Sequence, residues 1–273
     1  MTTLFYTCAN KKYEPFALLF AASVLEHVAD SAVEIVLESA EAFEAENAAA
    51  LGLIREAHGA HCFTVTSDAF RRGDPPRPIL PNSVRFIVEP QTQAEFTYIC
   101  DIDIIVLDGS IVAQHLAFME RTGLPYSNSQ RAGTDRLTGL HFARSAALYP
   151  LPDLSDCDFA SMNDEQLLRL IVTRKGMPVQ DLEWFRPVPG IHASPNRTPQ
   201  HTPGITDRYG NQMLNWGLPS WLGPYAAFRR SALLLALYQH LPARVVSTLA
   251  EIDAVLGDKQ NALTNPELAA CVS

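Results

Sequence analysis

No run of about 18 apolar residues occurs in the chain, so no segment has the length and hydropathy of a membrane-spanning helix. A long basic tract is missing too. Lys plus Arg number 21 against 30 Asp plus Glu, a formal net charge of −9, which argues against broad nucleic-acid binding, since that mode draws its affinity from cations clustered on phosphates. Cysteine is scarce and scattered: Cys8, Cys62, Cys100, Cys157 and Cys271 are odd in number and form no CxxC pair, so neither a zinc knuckle nor a disulfide framework is indicated. The opening MTTLFYTCANKKYEP lacks a charged segment followed by a long apolar one, and a reduced, cytoplasmic protein is expected. Internal repeats, low-complexity stretches and a linker able to split the chain are likewise missing, and 273 residues suit one large domain.

What is present is a β-α-β-α-β order. Thr3 to Cys8 reads as a short strand, and Pro15 suits the first turn of a helix through FALLFAASVLEHVAD. Ala32 to Glu38 is a second strand, SAEAFEAENAAALGLIREAHG is helical by propensity, and HCFTVTS returns to β character. Such an order predicts an α/β fold, a mostly parallel central sheet covered by helices with right-handed crossovers. The proline-rich RRGDPPRPILPNS connects to VRFIVEP, where Arg85 is expected at a strand start. Further on, helices are expected over Ser110 to Glu120 and over SMNDEQLLRLIVTRKG, capped by Asn163 or Ser161, with a strand over Leu137 to Ala143. Residues 186 to 212 contain no apolar periodicity and are expected as a long loop. The tail from Tyr225 to Leu256 is expected to be helical, broken at Pro242, and to pack on the domain; two arginines beside a leucine-rich face also permit peripheral membrane or partner contact.

One segment carries chemistry. YICDIDIIVL, residues 98 to 107, is a buried-strand pattern interrupted by Asp101 and Asp103. Carboxylates in apolar surroundings are costly unless paired, hydrogen-bonded or bound to a cation. Residues two apart on a strand face one way, so both acids are expected to converge at the carboxyl edge of the sheet, where open α/β sheets bind ligands. Two such acids repel unless a cation lies between them, and Mn²⁺ or Mg²⁺ takes one or two carboxylates and completes its shell from substrate phosphates. The alternative is an ordinary acidic turn between two short strands, Phe96 to Cys100 and Ile104 to Leu107.

YICDIDIIVL, TCANKKYEPFALLFAASV, VRFIVEP, RLTGLHFAR and NDEQLL, in that order, resemble segments of nucleotide-sugar glycosyltransferases with the A-type fold, especially the family 8-like bacterial enzymes. The resemblance runs from about residue 3 to residue 195 and leaves out the C-terminal helices. It implies a single Rossmann-like glycosyltransferase domain in which residues 1–107 form the nucleotide-binding part, 108–212 the donor-sugar and acceptor part, and 213–273 a helical extension.

The resemblance also implies roles. Thr7, Cys8, Ala9 and Asn10 would cradle base and ribose, and Tyr13 would stack on uracil; otherwise Tyr13 is a helix-entry aromatic. Arg85 would approach the diphosphate with bidentate contacts, or else is a solvated strand residue. Asp101, Asp103 and His192 would be the metal ligands, with Ile102 also lining the nucleotide-sugar site and His201 as rival to His192. The usual Gly-Xaa-Xaa-Lys-Pro-Trp continuation after this histidine is replaced by ASPNR, where Arg197 stands in for the lysine. Asp164 and Glu165 would face the donor sugar as the catalytic acids, or simply answer the helix dipole. Thr138, Gly139 and His141 would line the sugar pocket. Trp216, Trp221 and Tyr225 would be core aromatics or stacking faces for an acceptor sugar.

The function so implied is metal-dependent transfer of a hexose from a UDP-sugar, with retention, to a glycan or other hydroxyl acceptor, of the surface-polysaccharide type by analogy. Nucleotidyl transfer is a rival, weakened because CANKKYEP has lysines but no glycine to cradle phosphate. A non-catalytic nucleotide-sugar-binding module is another.

Overall fold

The computed structural model describes residues 2–67, 79–130, 133–179, 185–193 and 219–264, with side chains described as far as residue 257 in the last of these segments. Strands β1 (Thr3–Ala9), β2 (Ser31–Leu37), β3 (Phe63–Ser67) and β4 (Phe96–Ile99) pair in parallel in the order β3-β2-β1-β4. Beyond β4 the sheet continues with two antiparallel strands, β7 (His141–Arg144) and then β6 (Tyr126–Ser127). The expected mostly parallel α/β sheet is therefore present. A separate two-stranded ribbon joins β5 (Ile104–Val106) to β8 (Gly190–His192).

Alternation along β1 divides the core in two. Phe5 and Ala9 face α1 (Ala17–His27) and α3 (Ala48–His58), whereas Leu4, Tyr6 and Cys8 face the layer containing α6 (Asp164–Arg174). All seven residues of β1 are buried, as a strand covered on both faces requires. One buried charge sits in this sheet: the Glu34 carboxylate, wholly enclosed on β2, accepts from the backbone N–H of Gln91 (2.9 Å) and Thr92 (2.7 Å) and so pins the segment that leads into β4. That satisfies the rule that an enclosed carboxylate needs donors.

Four local expectations are corrected. The stretch 39–59, expected to be helical, is two helices, α2 (Ala40–Glu46) and α3, parted at Asn47, whose backbone leaves the helical region (φ −114°, ψ 18°) while its side-chain amide donates to the Phe43 carbonyl at 2.9 Å beside its own N–H. VRFIVEP is no strand; Pro81–Phe86 form a 3-10 turn, entered at a proline that has no N–H to give a ladder. Arg85 on that turn is 3% exposed rather than solvated. Within the expected loop 186–212, residues 186–193 are described and include β8, and 194–212 fall outside the described residues.

Helices α4 (Ile111–Thr122) and α6 start close to the expected places, α6 with a capping box in which the Asn163 side chain accepts from Gln166 N–H and Gln166 answers on Asn163 N–H. A one-turn helix, α5 (Ser145–Leu148), follows β7. At the end of the chain, α7 (Pro219–Arg229), α8 (Ala232–Leu237) and α9 (Ala243–Thr264) lie against the α1 side of the sheet through Phe228, Leu234, Leu237, Val245, Leu249 and Ile252. The packing role expected for this tail is what the contacts give. No described helix is long and apolar enough to cross a membrane.

Candidate functional site

A cavity of about 360 Å³ opens at the carboxyl ends of β1 and β4. Cys8, Ala9, Asn10 and Tyr13 form one wall, Pro81, Asn82 and Arg85 a second, and Asp101, Ile102, Asp103 and His192 a third. The place is the one where open parallel sheets bind ligands, since strand ends and the following turns leave a crevice there.

Asp101 and Asp103 do not lie on a strand. They occupy the turn between β4 and β5, so their convergence comes from the clamping of that turn and not from a two-residue period. The Cys100 carbonyl accepts from Thr7 Oγ1 (2.7 Å) and Arg85 Nη1 (2.8 Å), Cys100 N–H donates to Tyr6 (3.1 Å), and Ala193 N–H donates to the Asp103 carbonyl (2.6 Å). Thr7 is thus wholly buried and holds the acidic turn from beneath rather than lining the cavity.

His192 reaches the same point by pairing. On β8 it stands opposite Ile104, the first residue after the acidic turn. Its Nε2 lies 3.4 Å from Asp101 Oδ2 and 3.6 Å from Asp103 Oδ1. One ligand atom from each of Asp101, Asp103 and His192 falls within 4.8 Å of the other two. Gly190 makes that approach feasible: a Cβ there would stand 1.8 Å from the Ile105 carbonyl oxygen.

Arg85 organises the charge. Its Nη1 donates to Asp101 Oδ1 in a very short contact, and Nη2 donates to Asp164 Oδ2 at 3.0 Å. Burial would lower the guanidinium's affinity for its proton, but the carboxylates of Asp101 and Asp164 outweigh it and hold the group charged. For Asp101 burial acts the other way, and the nearby Arg85 charge with the His192 contact brings its carboxyl well below the usual range. Gly139 sits against this pair, since a Cβ on it would meet Arg85 Nη2 at 3.0 Å and Asp164 Oδ2 at 3.6 Å. The close approach that this glycine permits is to protein side chains.

Thr138 and His141 are not on the cavity lining. Both are buried in a polar cluster in which Thr138 Oγ1 donates to Asn128 Oδ1 (2.7 Å) and Asn128 Nδ2 lies 3.1 Å from His141 Nδ1. Burial pushes the His141 imidazole down to about 3, and burial together with the His141 ring does the same to His115, also to about 3. Neither of the two acids at the start of α6 is on the cavity lining: Asp164 is joined to it through its ion pair with Arg85, and Glu165 is half-buried. Trp221 and Tyr225 are core, the latter donating its hydroxyl to Asp253 Oδ1 at 2.8 Å. Arg197, His201 and Trp216 lie outside the described residues.

Pro81 and Asn82 also line the cavity, although their proline-rich segment reads in sequence as a connection. Cys8 Sγ donates to the Pro81 carbonyl at 3.2 Å and draws that turn over the cavity. Pro81 ahead of a buried-type Val-Arg-Phe run is the signal that was available.

No known family model matches the chain, and no curated protein matches it. Solved structures similar to it include Staphylococcus aureus TarS 1–349, with a TM-score of 0.38, 12% identity, and coverage of 64% of this chain and 55% of that one. The glycosyltransferase GlyE of Streptococcus pneumoniae TIGR4 is similar at a TM-score of 0.44 and 9% identity over 64% of this chain and 43% of that one. The galactosyltransferase LgtC, solved in complex with donor and acceptor sugar analogs, is similar at 0.46 and 14% over 62% and 70%. The chain thus spans about half the length of the first two. The functional reading rests on the site's own residues.

Proposed function

We propose that this chain is a metal-dependent glycosyltransferase that moves a hexose from a UDP-sugar, with retention of configuration, to the hydroxyl of a glycan or similar acceptor. One observation carries the reading: two carboxylates and an imidazole converge on one point in a cavity at the carboxyl ends of parallel strands. The donor set fits Mn²⁺ or Mg²⁺. Carboxylate oxygens suit both ions, and the imidazole nitrogen favours Mn²⁺ of the two.

Asp101, Asp103 and His192 would hold the ion. When bound, it supplies Lewis-acid stabilisation of the negative charge on the departing diphosphate. The remaining steps belong to the chain. Asn10 and Tyr13, on the wall across from the acidic turn, would take the nucleoside. Arg85 keeps the Asp101 carboxylate ionised and aimed, and it ties Asp164, which stands behind the lining, to the cavity wall; from there that carboxylate would support the donor sugar side and stabilise an oxocarbenium-like centre. Ile102, nearly buried between the two acids, would limit water around the reacting bond. The acceptor would enter past His192, and its hydroxyl proton would leave with the diphosphate oxygen it replaces.

The test is release of UDP from a panel of UDP-hexoses with and without Mn²⁺. Metal-dependent UDP release supports the reading. Binding of Mn²⁺·UDP with no turnover of any donor would instead favour a nucleotide-sugar-binding module, and release of pyrophosphate from a nucleoside triphosphate plus sugar phosphate would favour nucleotidyl transfer.

A further inference from the structure

Among the described residues, Arg244 reaches the cavity wall from the far end of the chain. It stands in the first turn of α9, and its Nη1 donates to the carbonyl of Lys12 at 2.7 Å. Its guanidinium carbon lies 6.0 Å from the Tyr13 ring centroid and 5.8 Å from that of Phe16. The turn it touches is the one that carries Asn10 and Tyr13 into the cavity.

Other ties act on that turn: the Asn10 carbonyl accepts from Tyr13 N–H (2.9 Å) and Glu14 N–H (2.8 Å), Lys11 N–H lies 3.4 Å from Glu38 Oε1, and Lys11 Nζ pairs with Glu14 at 2.8 Å. Asn10 Oδ1 accepts from the N–H of Lys12 (3.2 Å) and Tyr13 (3.3 Å), an Asx-type turn that sets its local shape. The Lys12 side chain stays at the surface over the Tyr13 ring, 5.5 Å from the centroid. Most of these bonds are local or made at the exposed Lys11 end, and Arg244 adds a tie at the Lys12–Tyr13 end from a distant element. By contrast α9 is firmly seated, with Val245, Leu249 and Ile252 wholly buried, and its first turn begins where the Pro242 carbonyl accepts from Val245 and Val246 N–H. A guanidinium on a seated helix that binds a turn's carbonyl and lies within cation–π range of its aromatic ring is a rigid strut.

We propose that Arg244 is a positioning residue for base recognition: it fixes the Asn10–Tyr13 turn so that the Tyr13 ring presents a preset stacking surface to the base of a nucleoside diphosphate. This rests on the reading of the cavity as a nucleotide-sugar site and adds to it a role for the C-terminal helices, which carry none of the family-like segments. The reasoning is one of preorganisation. An aromatic side chain already held in place loses less freedom when a base stacks on it, so affinity for the base-bearing ligand rises without a new contact. The diphosphate end, held at the wall of Asp101, Asp103 and His192, is untouched by the strut.

The experiment compares calorimetric affinities for Mn²⁺·UDP and Mn²⁺·pyrophosphate in the parent, Arg244→Ala, Tyr13→Ala and the double variant. Arg244→Ala is expected to weaken Mn²⁺·UDP by about tenfold, in line with stacking and cation–π contributions, and to leave Mn²⁺·pyrophosphate unchanged. In the Tyr13→Ala background the same substitution should have no further effect. Should Arg244→Ala not fold, Arg244→Gln, which keeps a donor for the Lys12 carbonyl but no cation, takes its place and should lose an intermediate share. Equal loss for both ligands, or none for either, overturns the assignment of Arg244 alone. A parent that binds neither ligand contradicts the nucleotide-sugar reading itself and removes the inference with it.

Discussion

Arg85 holds Asp101 with one nitrogen and Asp164 with the other, joining the turn after β4 to the first residue of α6 through a guanidinium that is 3% exposed. The two acids are 63 positions apart in a 273-residue chain, yet they answer to one cation. Because that cation is buried, each carboxylate depends on it for compensation.

Removing it should therefore cost stability as well as function. Arg85→Met keeps most of the volume and leaves the two acids facing each other without their donor, and breaking a buried pair in this way costs about 3–5 kcal/mol. Urea unfolding of the variant is expected to show a loss in that range. A loss below about 1 kcal/mol would mean that water already screens the pair as at an exposed site.

Gly190 gives a sharper steric prediction. A methyl group there would stand 1.8 Å from the Ile105 oxygen and 2.8 Å from the Leu107 nitrogen, both backbone atoms that cannot rotate away. Gly190→Ala should separate β8 from β5, lower the melting temperature by several degrees and carry His192 out of reach of the two acids. A variant that melts with the parent and keeps its Mn²⁺ affinity contradicts the β5–β8 register.

A third prediction concerns acid. His115 and His141 are both buried with their pKa pushed down to about 3, so the folded chain takes up fewer protons than the unfolded one between that value and the ordinary histidine range near 6.5. Stability from these groups is full above about pH 6.5 and falls as the pH drops, each histidine costing about 2 kcal/mol at pH 5. Ring-nitrogen NMR should show at least two of the eight histidines neutral at pH 5. Midpoints above 6 for all eight would contradict the burial of the pair.

Much of the fold was legible in sequence because the signals were local and repeated. The β1-α1-β2 order, the Asn163 cap and the break at Pro242 each depend on a few neighbouring residues, and each lies where expected. What escaped was set by distant partners. Arg85 reads as a surface cation until Asp101, Asp164 and Gly139 are brought around it, and β8 has only three residues, too few to show a period until Ile104–Val106 lies beside them. Thr138 and His141 look like ligands for a sugar, yet the Asn128 amide, which carries no motif, claims them for the core. The acidic turn is legible as a cluster but not in its cause: Asp101 and Asp103 converge through hydrogen bonds to Cys100 and Asp103 backbone groups and not through strand alternation.

The central claim is that Asp101, Asp103 and His192 together form a divalent-cation site that a nucleoside diphosphate completes. Mn²⁺ titration followed by electron paramagnetic resonance, with and without UDP, tests it on the folded protein and needs no turnover. Asp103→Ala should weaken Mn²⁺ binding in the presence of UDP by about a hundredfold and His192→Ala by a smaller factor, with melting temperatures close to the parent's. An Asp103→Ala protein that takes up Mn²⁺·UDP as tightly as the parent would contradict the account.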